Sequence, residues 1–152
     1  MDIASLVPHR SPMLLIDAVE SFDAAEKRAV ARAKVSTSSP FSDGDGVPSW
    51  VAIEYMAQAS AMLVGLRDKA VAPGSNPRPG LLLGTRRLEL SADMFPVGAE
   101  YLVSSTCTYE DADAAAFQCE MTDSSGKVVA SASLNAYRPP DLGAFLKEHV
   151  RR

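Results

Sequence analysis

The sequence predicts an α+β domain in which an antiparallel sheet wraps around one long central helix. Residues 47–66, VPSWVAIEYMAQASAMLVGL, are apolar on almost every side of any helix that they form, which is typical of a helix buried on all sides. Two strand-like segments precede this helix and about four follow it. Because such a helix must bury its whole circumference, this order of segments favours a sheet that curves around it.

The chain is predicted to form one domain, residues 1–152, since this length supports a sizeable core and no repeat or linker divides it. A net charge of −4 without a basic run argues against nucleic acid or a membrane surface as a partner. The apolar helix is too short, and too interrupted by polar groups, for a membrane span. Two cysteines without a zinc or disulfide pattern, and an acidic N-terminus without an apolar leader, predict a cytoplasmic protein.

A hairpin is predicted before the helix. Met13–Asp23 is first apolar and then alternating, which suits a strand that enters the core. Lys27–Ser36 alternates more clearly, with its alanines on one face and mostly charged groups on the other. The intervening DAAEK is a plausible turn, so the two segments are expected to pair.

The segment between this hairpin and the helix is rich in glycine, aspartate and proline, so residues 38–49 are predicted to form a loop. Pro48 or Ser49 begins the helix, because proline needs no partner for its nitrogen in the first turn and serine caps it. The helix is expected to end at Gly65 or within Ala72–Gly80.

The remainder of the chain is predicted to form strands and a short C-terminal helix. EDADA and SSGK are expected to be turns between strands. The tail, residues 140–152, has the pattern of a short amphipathic helix. The predicted strands are Gly80–Ser91, Glu100–Glu110, Ala115–Ser124 and Lys127–Pro139.

One carboxylate lies within the apolar helix. Burial disfavours the charged form of Glu54, whereas the N-terminal end of the helix dipole favours it, so its pKa can be tuned for acid or base catalysis. A structural alternative is that Glu54 caps a helix turn or pairs with an arginine such as Arg86 or Arg87. Gln58 follows on the same face at i+4 and could hold the carboxyl group or a substrate.

His9 is the second candidate, because Pro8 and Pro12 stiffen its loop and fix the direction of the imidazole. The alternative interpretation is that His9 is an ordinary surface residue. SDGDG at 42–46 resembles part of a calcium loop, but the later ligands are absent, so no metal is expected. No phosphate-binding or serine-nucleophile motif is present, and no cofactor is expected.

Three segments resemble the β-hydroxyacyl-acyl-carrier-protein dehydratases. LVPHRSPMLLIDAV is similar to their N-terminal motif, PSWVAIEYMAQASAMLVG to their central helix, and GLLLGTRRLELSADMFPVGAEYLV to the segment after it. The resemblance implies the hot-dog fold. The family's catalytic histidine lies in the loop before the helix, where this chain has PFSDGDGVPS and no histidine. This combination most resembles the divergent branch of aryl-polyene and xanthomonadin-type pigment pathways.

The resemblance implies dehydration of a 3-hydroxyacyl group linked through phosphopantetheine to acyl carrier protein, giving the trans-2-enoyl product. His9 would be the base and Glu54 the acid. Asp43 and Asp45, which stand where the family keeps its histidine, are expected to shape the loop. The resemblance and the sequence together place the following residues at the substrate: Gly46, Val47, Ser49 and Trp50, whose N–H groups would polarise the thioester carbonyl, and Met13, Phe41 and Gln58.

Three further expectations concern partners. Arg78, Arg86 and Arg87 are candidates for contact with an acidic carrier protein. The exposed edge of a single sheet implies a dimer, either of two copies or with a related dehydratase. The missing loop histidine leaves two other functions open: a non-catalytic subunit that supports a related dehydratase, and a hot-dog acyl thioesterase in which Glu54 activates water.

Overall fold

The computed structural model describes residues 1–138, 143, 144, 147 and 148. Single turns of 3-10 helix occur at Ile3–Ser5 and Ser49–Val51. The other elements, in chain order, are β1 (Ala18–Asp23), β2 (Arg28–Lys34), β3 (Gly46–Pro48), α1 (Ala52–Val71), β4 (Leu81–Leu90), β5 (Met94–Pro96), β6 (Glu100–Glu110), β7 (Ala114–Thr122) and β8 (Val128–Tyr137).

Six strands form one antiparallel sheet in the order β1-β2-β6-β7-β8-β4. Helix α1 packs on one face of this sheet, against β6, β2, β7 and β8. The short strands β3 and β5 pair with each other in a separate ladder. The predicted architecture, an antiparallel sheet around one central helix in the manner of the hot-dog fold, is therefore confirmed.

Small residues on the sheet bring the helix close to it. Ala29 and Ala31 on the inner face of β2 are fully buried, as the alternation of that strand predicted. Met56 and Met62 of α1 are also fully buried and belong to the same core. Because alanine leaves space above the sheet, larger side chains of the helix fill it at the density typical of a protein interior.

The first strand is shorter than the sequence predicts. Met13–Asp23 was expected to be extended throughout, but β1 begins at Ala18. The side chain of Gln58 takes the place of a strand partner, since its Oε1 accepts from the Leu15 N–H at 2.7 Å and its Nε2 donates to the Met13 carbonyl at 2.7 Å. A side chain contributed by a distant helix has no signature in the local pattern.

Two other boundaries differ from or refine the expectation. The predicted loop at 38–49 ends in strand β3, because residues 46–48 pair with β5, a strand that lies far along the chain. Helix α1 continues through Gly65 to Val71, so the later of the two predicted ends is correct.

The predicted C-terminal helix lies largely outside the described residues. Gly143, Ala144, Lys147 and Glu148 are described and are helical. Within the part of the chain that the structure describes, no helix has the length and apolar character needed to cross a membrane.

Candidate active site

His9 and Glu54 face each other within one chain. The N-terminal segment carries His9 to the start of α1, where its Nε2 lies 3.6 Å from Oε1 of Glu54. Their side chains are 27% and 30% exposed, so both groups remain reachable from outside. Because 3.6 Å is longer than a hydrogen bond, the two groups are not hydrogen-bonded to each other, and both can contact a ligand.

The surroundings of His9 favour its neutral form. Burial lowers the pKa of the imidazole, the carboxylate of Glu54 raises it, and the Arg10 guanidinium lowers it, with the net result below the ordinary 6.5. Nδ1 of His9 is buried and has no hydrogen-bond partner among the described residues. A neutral imidazole near neutral pH is the form that accepts a proton.

Gln58 orients Glu54. Its side chain is fully buried, and besides its bonds to Met13 and Leu15 it donates from Nε2 to Oε1 of Glu54 at 3.0 Å. Glu54 therefore contacts Gln58 and His9, and the alternative pairing with Arg86 or Arg87 is wrong. The physical reason is that the N-terminal segment, and not β4, covers this end of α1.

A cavity of about 570 Å³ adjoins the pair, a volume within the range of small-molecule sites. It follows one face of α1, because successive lining residues are three or four positions apart in the helix. Opposite them lie apolar side chains from the sheet. The lining residues of α1 on this face include Glu54, Ala57, Ala61, Val64, Asp68 and Val71, and those of the sheet include Phe22, Phe117, Leu134 and Ala136.

Ion pairs line the far end of this cavity, and the sequence reasoning missed them. Arg67 donates to both carboxylate oxygens of Glu110, at 2.8 and 2.6 Å, and Arg138 donates to Asp68 at 2.9 Å. The hydrogen bonds from Arg67 are the main reason that the pKa of Glu110 falls to about 2. Arg67 and Asp68 directly follow the apolar stretch of α1, which was the available signal.

The three arginines proposed to contact the carrier protein do not form one surface patch. Arg78 lines the cavity of His9 and Glu54. Arg86 and Arg87 lie on β4 in a separate surface depression, which they share with Glu89 and side chains of β7 and β8. Adjacent positions in the sequence do not define one patch here, because Arg78 precedes β4 and the other two belong to it.

The residues expected to polarise the thioester carbonyl lie outside the cavity lining of the single chain. The Gly46 N–H donates to the Asp43 carboxylate at 3.1 Å, and the Ser49 N–H donates to the Asp93 carbonyl at 3.0 Å. Val47 is fully buried, whereas Trp50 is 59% exposed. Two of the expected N–H donors are thus already occupied within the chain.

The expected apolar contacts also lie outside this lining. Phe41 packs edge to face against Trp50, with ring centroids 6.2 Å apart, and Met13 is 40% exposed. Asp43 accepts from the N–H groups of Asp45 and Gly46, which is how a residue shapes a loop. Among the described residues, no cluster of three or more histidine, cysteine, aspartate or glutamate side chains is placed to hold a metal.

A hot-dog fold with a histidine and a glutamate facing each other beside a cavity along the central helix is the arrangement expected of an acyl dehydratase. The family model for ApeP-like dehydratases, described as ApeP dehydratase, matches residues 1–147. The chain belongs to this family.

Curated relatives agree. The chain is 31% identical over 115 residues to the 3-hydroxyacyl-[acyl-carrier-protein] dehydratase FabZ of Chlamydia caviae, which covers 68% of this chain and 73% of that protein. It is 36% identical over 81 residues to FabZ of Chlamydia trachomatis serovar L2, covering 47% of this chain and 53% of that protein.

Two solved structures share the fold. The dehydratase heterocomplex ApeI:P from Xenorhabdus doucetiae matches with a TM-score of 0.86 and 25% identity, over 100% of this chain and 99% of that one. A hypothetical thioesterase with coenzyme A from Streptococcus pneumoniae matches with a TM-score of 0.58 and 14% identity, over 80% and 84%, and shows the fold alone.

Proposed function

We propose that this dehydratase removes water from a 3-hydroxyacyl thioester carried on acyl carrier protein, giving the trans-2-enoyl thioester in fatty-acid-like or aryl-polyene biosynthesis. The observation that carries the proposal is the His9–Glu54 pair at 3.6 Å beside the cavity. The named activity of the FabZ relatives supports the acyl carrier protein as the carrier.

The two side chains divide the two proton transfers. His9 removes the proton on C2, the electron pair of that bond forms the C2–C3 double bond, and the C3–O bond breaks. In the reactive form of the pair His9 is neutral and Glu54 carries a proton, which Glu54 gives to the departing hydroxyl group so that it leaves as water. His9 is then protonated and Glu54 ionised, and transfer of one proton across the gap between them restores the starting enzyme.

We assign the expected contacts of Gly46, Val47, Ser49, Trp50, Met13 and Phe41 to an assembled dimer. In the single chain Trp50 and Met13 are exposed apolar side chains at the helix N-terminal end of the molecule, and a second chain would cover them. The loop of one chain would then complete the substrate site of the other. Gln58 acts on the substrate through Glu54, since its amide is occupied by three hydrogen bonds within the chain.

The free edge of the sheet supports the dimer. Within the part of the chain that the structure describes, β4 is an edge strand with one unpaired side, and Leu82 and Leu83 on it are 44% and 64% exposed. Such an edge tends to be paired or covered. The heterocomplex of the Xenorhabdus doucetiae protein favours a related dehydratase as the second chain, beside a second copy of this chain.

Arg78 is our candidate for docking the carrier protein, because it stands at the cavity. Arg86 and Arg87, in their separate depression, serve as the comparison. If Arg78 contacts an acidic carrier protein, reversal of its charge raises the KM for carrier-bound substrate. Charge reversal at Arg86 and Arg87 tests whether the surface around their depression also contacts the carrier protein. The cytoplasm is the proposed compartment, since both cysteines are free thiols.

The direct test is to incubate the purified protein, alone and with a related dehydratase, with a 3-hydroxyacyl carrier protein. Loss of one water from the acyl group, measured by mass spectrometry, is the expected result. Release of free thiol without that loss identifies a thioesterase. If water is lost only with the second chain present, and equally well when this chain carries His9→Ala, the protein is a supporting subunit.

A further inference from the structure

The chain that precedes His9 lies directly against helix α1 at Gly65. A Cβ added to Gly65 would overlap the carbonyl oxygen of Leu6 and stand 2.9 Å from its carbonyl carbon. The obstructing atoms are backbone, so no rotation of a side chain relieves the overlap. The backbone of Leu6 can approach the helix this closely because residue 65 has no side chain.

This N-terminal segment is held as a unit. The Asp2 carboxylate accepts from the Ala4 N–H at 3.2 Å, and the N–H groups of Leu6 and Val7 both donate to the Ile3 carbonyl. The side chains of Leu6 and Val7 are buried in the core. A displacement of the Leu6 backbone therefore moves the whole segment, and with it His9, three residues further on.

The other side of the His9 loop is also held by α1. Gln58 bonds to the backbone of Met13 and Leu15, and the same amide orients Glu54. The loop at 8–12 thus lies between two attachments to one helix, Gly65 and Gln58, which are about 10 Å apart along its axis. Both reacting groups are placed by the same rigid element.

We propose that Gly65 is a positioning residue for His9: the absence of its side chain sets the depth at which the N-terminal segment lies on α1, and through it the separation of His9 from Glu54. The inference rests on the proposed function of that pair. A side chain at residue 65 displaces the Leu6 backbone by about 1 Å, and a misplacement of that size can cost on the order of 10²-fold in rate.

The test is Gly65→Ala, with two matched controls. Gly74→Ala makes the same substitution just beyond α1, where an added Cβ meets nothing within 4 Å. Val103→Ala removes buried methyl groups from β6 away from the cavity lining, and so lowers the melting temperature without changing the contact between Leu6 and Gly65. Alanine favours helix more than glycine does, so α1 itself remains formed in Gly65→Ala.

We expect Gly65→Ala to lower kcat by about 10²-fold with KM changed only a few-fold, and both controls to retain kcat at a temperature where they are folded. NMR titration of the two histidines, assigned with His9→Ala, gives a readout independent of turnover. Because burial lowers the pKa of His9 and the nearby Glu54 raises it, a displaced loop changes that pKa.

Wild-type kcat together with an unchanged His9 titration in Gly65→Ala overturns the inference. If Gly65→Ala does not fold, Leu6→Gly loosens the contact between the N-terminal segment and α1 from the side of the segment. It must then lower kcat and change the His9 titration in the same way. If the wild-type protein dehydrates nothing, the proposed function fails, whereas the titration of His9 still decides whether Gly65 positions that residue.

Discussion

The two reacting side chains differ in how they are held. Glu54 is fixed by its own helix through Gln58, whereas His9 lies in a loop that reaches it from the N-terminal segment. We expect His9→Ala and Glu54→Gln each to lower dehydration by at least about 10²-fold, because each removes one positioned proton transfer. Steady-state turnover of 3-hydroxyacyl carrier protein measures this.

Asp43→Asn is the control for this pair. Asp43 stands where the resemblance to the dehydratase family implies a histidine, but its carboxylate accepts hydrogen bonds from the N–H groups of Asp45 and Gly46, which lower its pKa. Asparagine retains an oxygen acceptor for these bonds, so turnover should stay within a few-fold of wild type. A loss as complete as in His9→Ala would mean that Asp43, and not His9, supplies the base.

The pH dependence follows from the lowered pKa of His9. A base must be unprotonated, so the acidic limb of kcat/KM should rise with pH through the pKa of His9, with its midpoint below 6.5, and the need for a protonated Glu54 sets the opposite limb. Removing the negative charge in Glu54→Gln should lower the His9 pKa further, and removing the positive charge in Arg10→Gln should raise it. NMR titration of His9 checks both signs; shifts in the opposite directions would contradict this account of the site.

At the scale of elements, α1 is tied to β6 by the pair of Arg67 and Glu110. The hydrogen bonds from Arg67 hold the pKa of Glu110 at about 2, below its ordinary 4.5. A carboxylate with a lowered folded-state pKa stabilises the fold fully above the unfolded value and loses this contribution as the pH falls through the folded value. The stabilisation should therefore be complete above pH 4.5 and vanish toward pH 2.

Glu110→Gln tests this linkage. We expect it to lower the free energy of unfolding by about 1 kcal/mol or less near neutral pH, because the glutamate side chain is 34% exposed and screened by solvent. Urea denaturation at a series of pH values should show the two proteins converging between pH 4.5 and 2. A difference that is constant over this range would mean that the substitution acts by some route other than the charge.

At the scale of the whole molecule, the open side of β4 predicts assembly. Leu83→Asp places a charge on this edge and should shift sedimentation at micromolar concentration from a dimer toward a 16.2 kDa monomer, with loss of activity. Leu102→Asp is the matched control, since Leu102 is also exposed but belongs to the central strand β6. A wild-type monomer that remains active would remove the shared substrate site.

Mixing inactive variants tests where the reacting pair resides. Because His9 and Glu54 lie 3.6 Å apart in one chain, a mixture of His9→Ala and Glu54→Gln chains should regain no activity even after subunits exchange. Each site in such a mixture lacks one of its two groups. Recovery of turnover would place the pair across the interface.

Several features followed from the sequence because their causes are local. The apolar circumference of α1, the alternation of Ala29 and Ala31, and the turns between the later strands each depend on residues close together in the chain. For the same reason the carboxylate inside the helix was visible as a candidate, and the motif around His9 carried the resemblance to dehydratases.

Only the tertiary structure decided how these parts meet. The strand predicted from Met13 is shortened by Gln58, which is 45 positions away from it, and the end of the predicted loop becomes β3 through pairing with β5. His9 reaches Glu54 in the same chain because Gly65 admits the backbone of Leu6. Such contacts join residues that are remote in the chain, and their geometry depends on packing of the whole core, which a local pattern of residues does not contain.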